Sequence, residues 1–210
     1  MDVTRRYFLL FLFTLFAACA FPRAGAADTP VIACFGDSLT AGYGVEPGHT
    51  YPDGLQKLLD GHGYHYRVVN KGISGNTSKD GSDRLKDVLA LHPRIVVLEF
   101  GGNDGLRGLP LSATKQNLEE MITTLQKAGT KVLLAGITLP PNYGPDYIQQ
   151  FNSIYASLAK KYNTPLIPFL LKDVYSVPGS MQEDGIHPTA QGCRQVAANV
   201  FEALRPLLRK

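Results

Sequence analysis

The sequence predicts an α/β fold on a parallel, doubly wound sheet, and three observations carry that prediction. Apolar runs alternate with amphipathic stretches from Val31 to the last helical segment. The runs are rich in Val, Ile and Leu and lack polar alternation, the pattern of parallel strands covered on both faces. No internal repeat, low-complexity tract or interdomain linker interrupts the order. Strand, helix, strand in succession implies right-handed crossovers with helices on the sheet faces.

Taken in order, Val31 to Phe35 is the first strand and Tyr51 to Asp60 the first long helical pattern. Tyr66 to Asn70 is the second strand, with helical spacing over Ser78 to Leu91. Ile95 to Phe100 and then Ser112 to Ala128 repeat the pair, as do Val132 to Gly136 and Asp146 to Tyr162. Pro165 to Pro168 is the fifth strand, and Thr189 to Leu208 the closing helix. Leu139 to Pro145 and Leu170 to Glu183 are too polar or too rich in Pro and Gly for either element. Loops at a sheet edge commonly shape a pocket while the scaffold holds its chemistry.

The first residues stand apart. Arg5 and Arg6, an apolar run from Tyr7 to Ala20, and small residues at Ala24-Gly25-Ala26 make the n-region, h-region and cleavage site of an export signal. The run is about 14 residues, short of the ~20 that span a bilayer. Residues 1–26 are therefore set aside as a cleaved signal, leaving 27–210 as a single domain in the periplasm or secreted. Thr4-Arg5-Arg6-Tyr7-Phe8-Leu9-Leu10 resembles a twin-arginine motif, so the Sec and Tat routes both stay open. Leu15-Phe16-Ala17-Ala18-Cys19 resembles a lipobox, an alternative in which Cys19 carries a lipid anchor.

Removing Arg5, Arg6, Arg23 and Asp2 with the signal lowers the formal net charge from +3 to about +1. No basic stripe marks a nucleic-acid partner, and nothing implies a stable protein partner. The remaining domain is long enough to bury a core without staples. Cys34 and Cys193 remain. An oxidising compartment permits a bridge between them, but their core-type contexts read as small apolar residues.

Four blocks carry the chemistry: Gly36-Asp37-Ser38-Leu39-Thr40-Ala41-Gly42, Ile73-Ser74-Gly75-Asn76-Thr77, Gly101-Gly102-Asn103-Asp104 and Asp184-Gly185-Ile186-His187-Pro188. Ser38 leaves the C-terminal end of the first strand, where open α/β sheets bind ligands. A serine hydroxyl needs a neighbouring base, itself oriented by a third group, before it attacks a carbonyl. Ser38 is the candidate nucleophile, His187 the base and Asp184 the orienter. Only three residues separate Asp184 from His187, so one turn can bring the carboxylate to Nδ1 and leave Nε2 for the serine. Gly185 supplies backbone freedom there, and Pro188 discourages helix before Thr189. Standing alone, the same residues would read as a loop turn and a helix cap, and Ser38 as an N-cap. Asp37 can do that capping instead. The absence of G-x-S-x-G predicts a looser turn than the nucleophile elbow.

In order and spacing these blocks resemble the SGNH (GDSL) hydrolase family. Val69-Asn70, Glu99 to Gly108, the loop Leu139-Pro140-Pro141-Asn142-Tyr143-Gly144 and Met181 to Pro188 look like its bacterial periplasmic lysophospholipase/thioesterase/arylesterase branch. The resemblance implies a five-stranded three-layer sandwich of order 2-1-3-4-5. It also implies an oxyanion hole from the Ser38 amide, the Gly75 amide and the Asn103 side chain. Gly75 has a physical reason to be glycine, since its amide must approach the substrate closely; Gly72 is the competitor if the register slips. The implied chemistry needs no cofactor and no metal. The implied substrates are acyl esters and thioesters, including acyl-CoA, aryl esters and lysophospholipids, with the acyl chain against Leu139, Pro140, Tyr143 and Tyr147 in the two loops.

The other histidines, His49, His62, His65 and His92, lack the Cys or carboxylate company of a metal site. No Walker lysine or G-x-G-x-x-G supports nucleotide binding. Two rival readings keep the fold and change the function: a carbohydrate O-acetylesterase of the same superfamily, and a non-catalytic lipid-binding surface lipoprotein. The first requires a short polar pocket, and the intact serine, asparagine, aspartate and histidine set argues against the second.

Overall fold

The structure, a computed structural model, describes residues 29–210. The predicted export segment, with Cys19 inside it, lies outside the described residues. Five parallel strands form one sheet: β1 (Val31–Gly36), β2 (Arg67–Gly72), β3 (Ile95–Glu99), β4 (Lys131–Ala135) and β5 (Leu166–Ile167), in the order β2-β1-β3-β4-β5. That is the order the resemblance implies. The helices are α1 (Ser38–Ala41), α2 (Tyr51–Gly61), α3 (Ser78–Asp83), α4 (Leu85–Leu89), α5 (Gly102–Leu106), α6 (Leu111–Lys127), α7 (Pro145–Lys161) and α8 (Ala190–Leu204). Helices α2 and α8 pack together on one face, and α3, α6 and α7 on the other.

The central strands are as the apolar runs predict. Every residue of β1 and β3 is buried, and Phe35 meets Phe100 edge to face at 4.9 Å. The outer strands depart from expectation. β2 is an edge strand with half-exposed side chains, so one of its sides lacks a strand neighbour. Gln56 of α2 covers part of that edge, accepting from the Val68 amide at 2.7 Å and donating to the Tyr66 carbonyl at 2.9 Å. β5 shrinks to two residues because Pro165 and Pro168, which lack N–H groups, bracket it. The predicted helix over Ser78 to Leu91 is two short helices that meet at Arg84.

Helix starts follow the local sequence. Thr50 with Asp53 and Thr77 with Asp80 form capping boxes, and the Thr189 side chain accepts from the Gly192 amide. Cys34 and Cys193 are both buried and free. Burial pushes the Cys34 thiol up to about 12 and that of Cys193 to about 11, so both are inert, small apolar residues.

The parallel register brings three strand ends together: Gly36 pairs with Gly72 on one side and with Glu99 on the other. A Cβ at Gly36 would collide with Thr40 Oγ1 and with Glu99, and one at Gly72 would run into the Thr40–Ala41 backbone. These glycines let α1 fold down onto the sheet end, where the site is built.

Candidate active site

Ser38 opens α1 immediately beyond β1. Asp37 is the N-cap, its Oδ1 accepting from the Leu39 amide at 3.0 Å, which leaves the Ser38 hydroxyl uncommitted to capping. α1 is a single turn closed by Gly42 at φ 82°. His187 and Asp184 arrive from the opposite end of the sequence on a loop pinned at several points. Met181 and Pro188 form an antiparallel bridge, the Gln182 amide donates to the His187 carbonyl at 2.8 Å, and Gln182 Nε2 donates to the Tyr43 carbonyl at 2.8 Å.

His187 Nε2 lies 2.8 Å from Ser38 Oγ, and Nδ1 lies 2.6 Å from Asp184 Oδ2. Asp184 Oδ1 accepts from the Ile186 amide at 2.9 Å and the His187 amide at 3.0 Å. Burial works to raise the Asp184 carboxyl, but the His187 amide and ring and the Ile186 amide outweigh it and hold the group down at about 2. The carboxylate is thus ionised at neutral pH. Its contact fixes the tautomer with hydrogen on Nδ1, so Nε2 can accept the Ser38 proton. The Tyr43 ring lies 4.7 Å from the imidazole and covers one of its faces.

Ser38, Gly75 and Asn103 line the same cleft and carry donor groups. The Ser38 and Gly75 amides make no hydrogen bond to another group among the described residues. Gly75 sits at φ 81°, in the left-handed region that favours glycine. Asn103, near the start of α5, is already engaged: Nδ2 donates to Asp37 Oδ2 at 3.1 Å and to the Asn76 carbonyl at 3.0 Å. Both hydrogens of the Asn103 amide are therefore committed. Arg107 ties the two donor loops together, with Nη2 2.9 Å from the Gly75 carbonyl.

The cleft beside Ser38 has a volume of about 570 Å³. Its walls are mainly apolar, among them Leu106, Ile137, Leu139, Pro140, Phe169 and Leu171. Tyr143 and Tyr147 are not on the cleft wall. They stack on each other behind it, and the Tyr143 hydroxyl donates to the Leu106 carbonyl at 2.8 Å. The Pro-rich loop thus presents Leu139 and Pro140 to the cleft, while its Tyr143 and the first turn of α7, with Tyr147, lean on α5. Among the described residues no cluster of three or more His, Cys, Asp or Glu could hold a metal ion.

The family model of the GDSL-like lipases/acylhydrolases matches residues 34–195, a span that includes all four blocks. The chain belongs to this family. It is an enzyme, a hydrolase of the esterase type. It is 44% identical over 187 residues to Esterase TesA of Pseudomonas aeruginosa, an alignment covering 89% of this chain and 92% of that one. It is 41% identical over 204 residues to the Escherichia coli thioesterase 1/protease 1/lysophospholipase L1, covering 97% and 94% respectively. Among solved structures, that of TesA superposes with a TM-score of 0.81 at 46% identity, covering 85% of this chain and 99% of the other.

Two features of the site escape motif reading. One is the contact of Asp37 with Asn103, which ties the first block to the third. The other is Glu99, fully buried beneath the Ser38 turn. Its sequence signal is an acidic residue inside the apolar run Ile95 to Phe100, where a charge has no solvent to face.

Proposed function

We propose that this chain is an exported serine esterase and thioesterase that acts through an acyl-enzyme on Ser38. Residues 1–26 are its cleaved export signal and 27–210 its single catalytic domain. The observation that carries the reading is the continuous hydrogen-bonded series from Asp184 through His187 to Ser38 Oγ.

His187 Nε2 takes the Ser38 proton as Oγ attacks the acyl carbonyl, and Asp184 stabilises the imidazolium that forms. The carbonyl oxygen becomes an oxyanion held by the Ser38 amide, the Gly75 amide and Asn103 Nδ2, which turns from the Asn76 carbonyl to reach it. His187 then protonates the departing alcohol or thiol. Water repeats the cycle on the acyl-enzyme and frees the acid. No cofactor enters.

The acyl chain lies in the apolar cleft against Leu139 and Pro140, which favours medium and long chains over acetate. Acyl-CoA is a cytoplasmic metabolite, so an exported enzyme meets lysophospholipids or exogenous esters instead. The names of the relatives, esterase and thioesterase/lysophospholipase, agree with this substrate class.

The test is kcat/KM for residues 27–210 on p-nitrophenyl esters from acetate to palmitate, with Ser38→Ala as blank. A Ser38-dependent maximum at medium or long chains is the expected result and directs the next assays to lysophospholipids. A maximum at acetate would replace this reading with a carbohydrate O-acetylesterase. Inactivity at every length, with no labelling by a serine-directed fluorophosphonate, would replace it with a lipid-binding protein that only keeps the fold.

A further inference from the structure

Glu99 ends β3 fully buried, and the chemistry above gives it no part. Its Oε2 accepts from the Asp37 amide at 3.2 Å and from Thr40 Oγ1 at 2.9 Å. Thr40 Oγ1 in turn lies 3.2 Å from the Tyr51 hydroxyl. Its Oε1 is the one buried side-chain oxygen or nitrogen among the described residues without a hydrogen-bond partner. The Asp37 carboxyl, also buried, lies beside the Glu99 carboxyl, the two side chains being close enough to share a hydrogen bond.

Two ionised carboxylates in that position would have no cation between them. The groups packed around Glu99 are Tyr51 from α2 and Tyr155 from α7, with Cys34 of β1 beside Tyr51, and burial keeps all three neutral. The Arg84 guanidinium acts on Asp37 only through space, its hydrogen bonds going to Asn76 Oδ1 and to the Lys71 and Gly36 carbonyls. His187 acts on Asp37, and Asp104 on Tyr155, without a hydrogen bond to Glu99. A proton on Glu99 Oε1 removes both difficulties, since it turns an orphan acceptor into a donor and leaves the pair a single negative charge.

We propose that Glu99 is a positioning residue: as a neutral acid it donates from Oε1 to the Asp37 carboxyl, which holds the Leu39 amide of the Ser38 turn with one oxygen and Asn103 Nδ2 with the other. Burial, then the neighbouring Asp37 charge, raises the Glu99 carboxyl well above its ordinary 4.5, consistent with that proton. Glu99 touches no reacting atom. It acts through Asp37 on Asn103, so its catalytic consequence rests on the function proposed above.

The test compares wild type, Glu99→Ala and Glu99→Gln in the full domain. Glu99→Ala is expected to lower kcat about 10-fold or more with KM within about twofold, as loss of positioning does. Glu99→Gln is expected to restore kcat to within about threefold of wild type, because a carboxamide keeps both the acceptor and the donor. It should also hold its kcat further into alkaline pH, where wild-type Glu99 ionises. Wild type should show an infrared carbonyl band of a protonated carboxylic acid at pH 7 that Glu99→Gln lacks. Absence of that band, or a Glu99→Gln variant as impaired as Glu99→Ala, overturns the proposal. If Glu99→Ala fails to fold, the band and the Glu99→Gln profile decide. A wild type inactive on every ester would overturn the proposed function and with it the positioning role, while the band would still decide where the proton sits.

Discussion

The carboxyls on the two sides of Ser38 are chemically alike and behave in opposite ways. On one side Asp184 stands on a loop, its side chain 37% exposed, with its oxygens facing the Ile186 and His187 amides and the His187 ring. On the other, Asp37 and Glu99 lie beneath the Ser38 turn, one fully buried and the other nearly so. The loop aspartate is held down at about 2 and stays charged; the buried pair is pushed up, first by burial and then, for Glu99, by Asp37. The loop offers three donors to one charge at its surface, whereas the sheet end offers two donors to each of two buried acids and no cation bonded to either. A charged, partly exposed half carries His187, and a buried half of low charge carries Ser38 and holds Asn103.

The largest test of this division is Ser38→Ala, which should cut ester hydrolysis by at least about 10⁴-fold while barely moving Tm, because the hydroxyl bonds only to the loop histidine. Residual turnover near wild type would remove Ser38 from the chemistry. Asp184→Asn should cost roughly 10³–10⁴-fold in kcat, since an amide no longer fixes the His187 tautomer or stabilises its cation. An effect confined to KM would make the loop a binding element instead. On the buried half, Asn103→Ala should lower kcat by about 10²-fold with little change in KM.

Stability sharpens the same contrast. Gly36→Ala should destabilise the fold by about 1–3 kcal/mol in urea melts, because its Cβ meets Thr40 and Glu99 at a sheet end that cannot give. The smallest effect is in the pH dependence of Tm. Asp184 ionises at about 2 when folded and at 3.8 when unfolded, so its contribution is complete above about pH 4 and fades as pH falls through 2. Asp184→Asn should remove that acid-side component. Glu99 has the opposite sign, since raised ionisation favours the unfolded chain as pH climbs above 4.5. The Tm of Glu99→Gln should therefore gain on wild type as pH rises.

Much of this was legible in the residues. Unbroken runs such as Ile95 to Leu98 announce strands buried on both faces, and the structure buries every residue of β1 and β3. The short spacing from Asp184 to His187 announced a carboxylate on an imidazole, and the two meet at 2.6 Å. What was not legible lay at the edges. β2 is half exposed because it has a strand neighbour on one side only, a property of sheet order that its apolar residues do not encode. Tyr143 of the Pro-rich loop and Tyr147 of α7 could face the cleft or the protein, and packing against α5 turned them away.

By itself the sequence determined the alternation of elements, the serine at a strand end and the acid–base pair one turn apart, because each is written in neighbouring residues under local rules. Tertiary structure alone decided that Ser38 and His187, 149 positions apart, meet at 2.8 Å. It also decided that Glu99 comes to rest against Asp37 with one carboxyl oxygen lacking any hydrogen-bond partner. Both outcomes depend on which strands become neighbours and how far α1 settles onto them, and burial then sets the proton's cost.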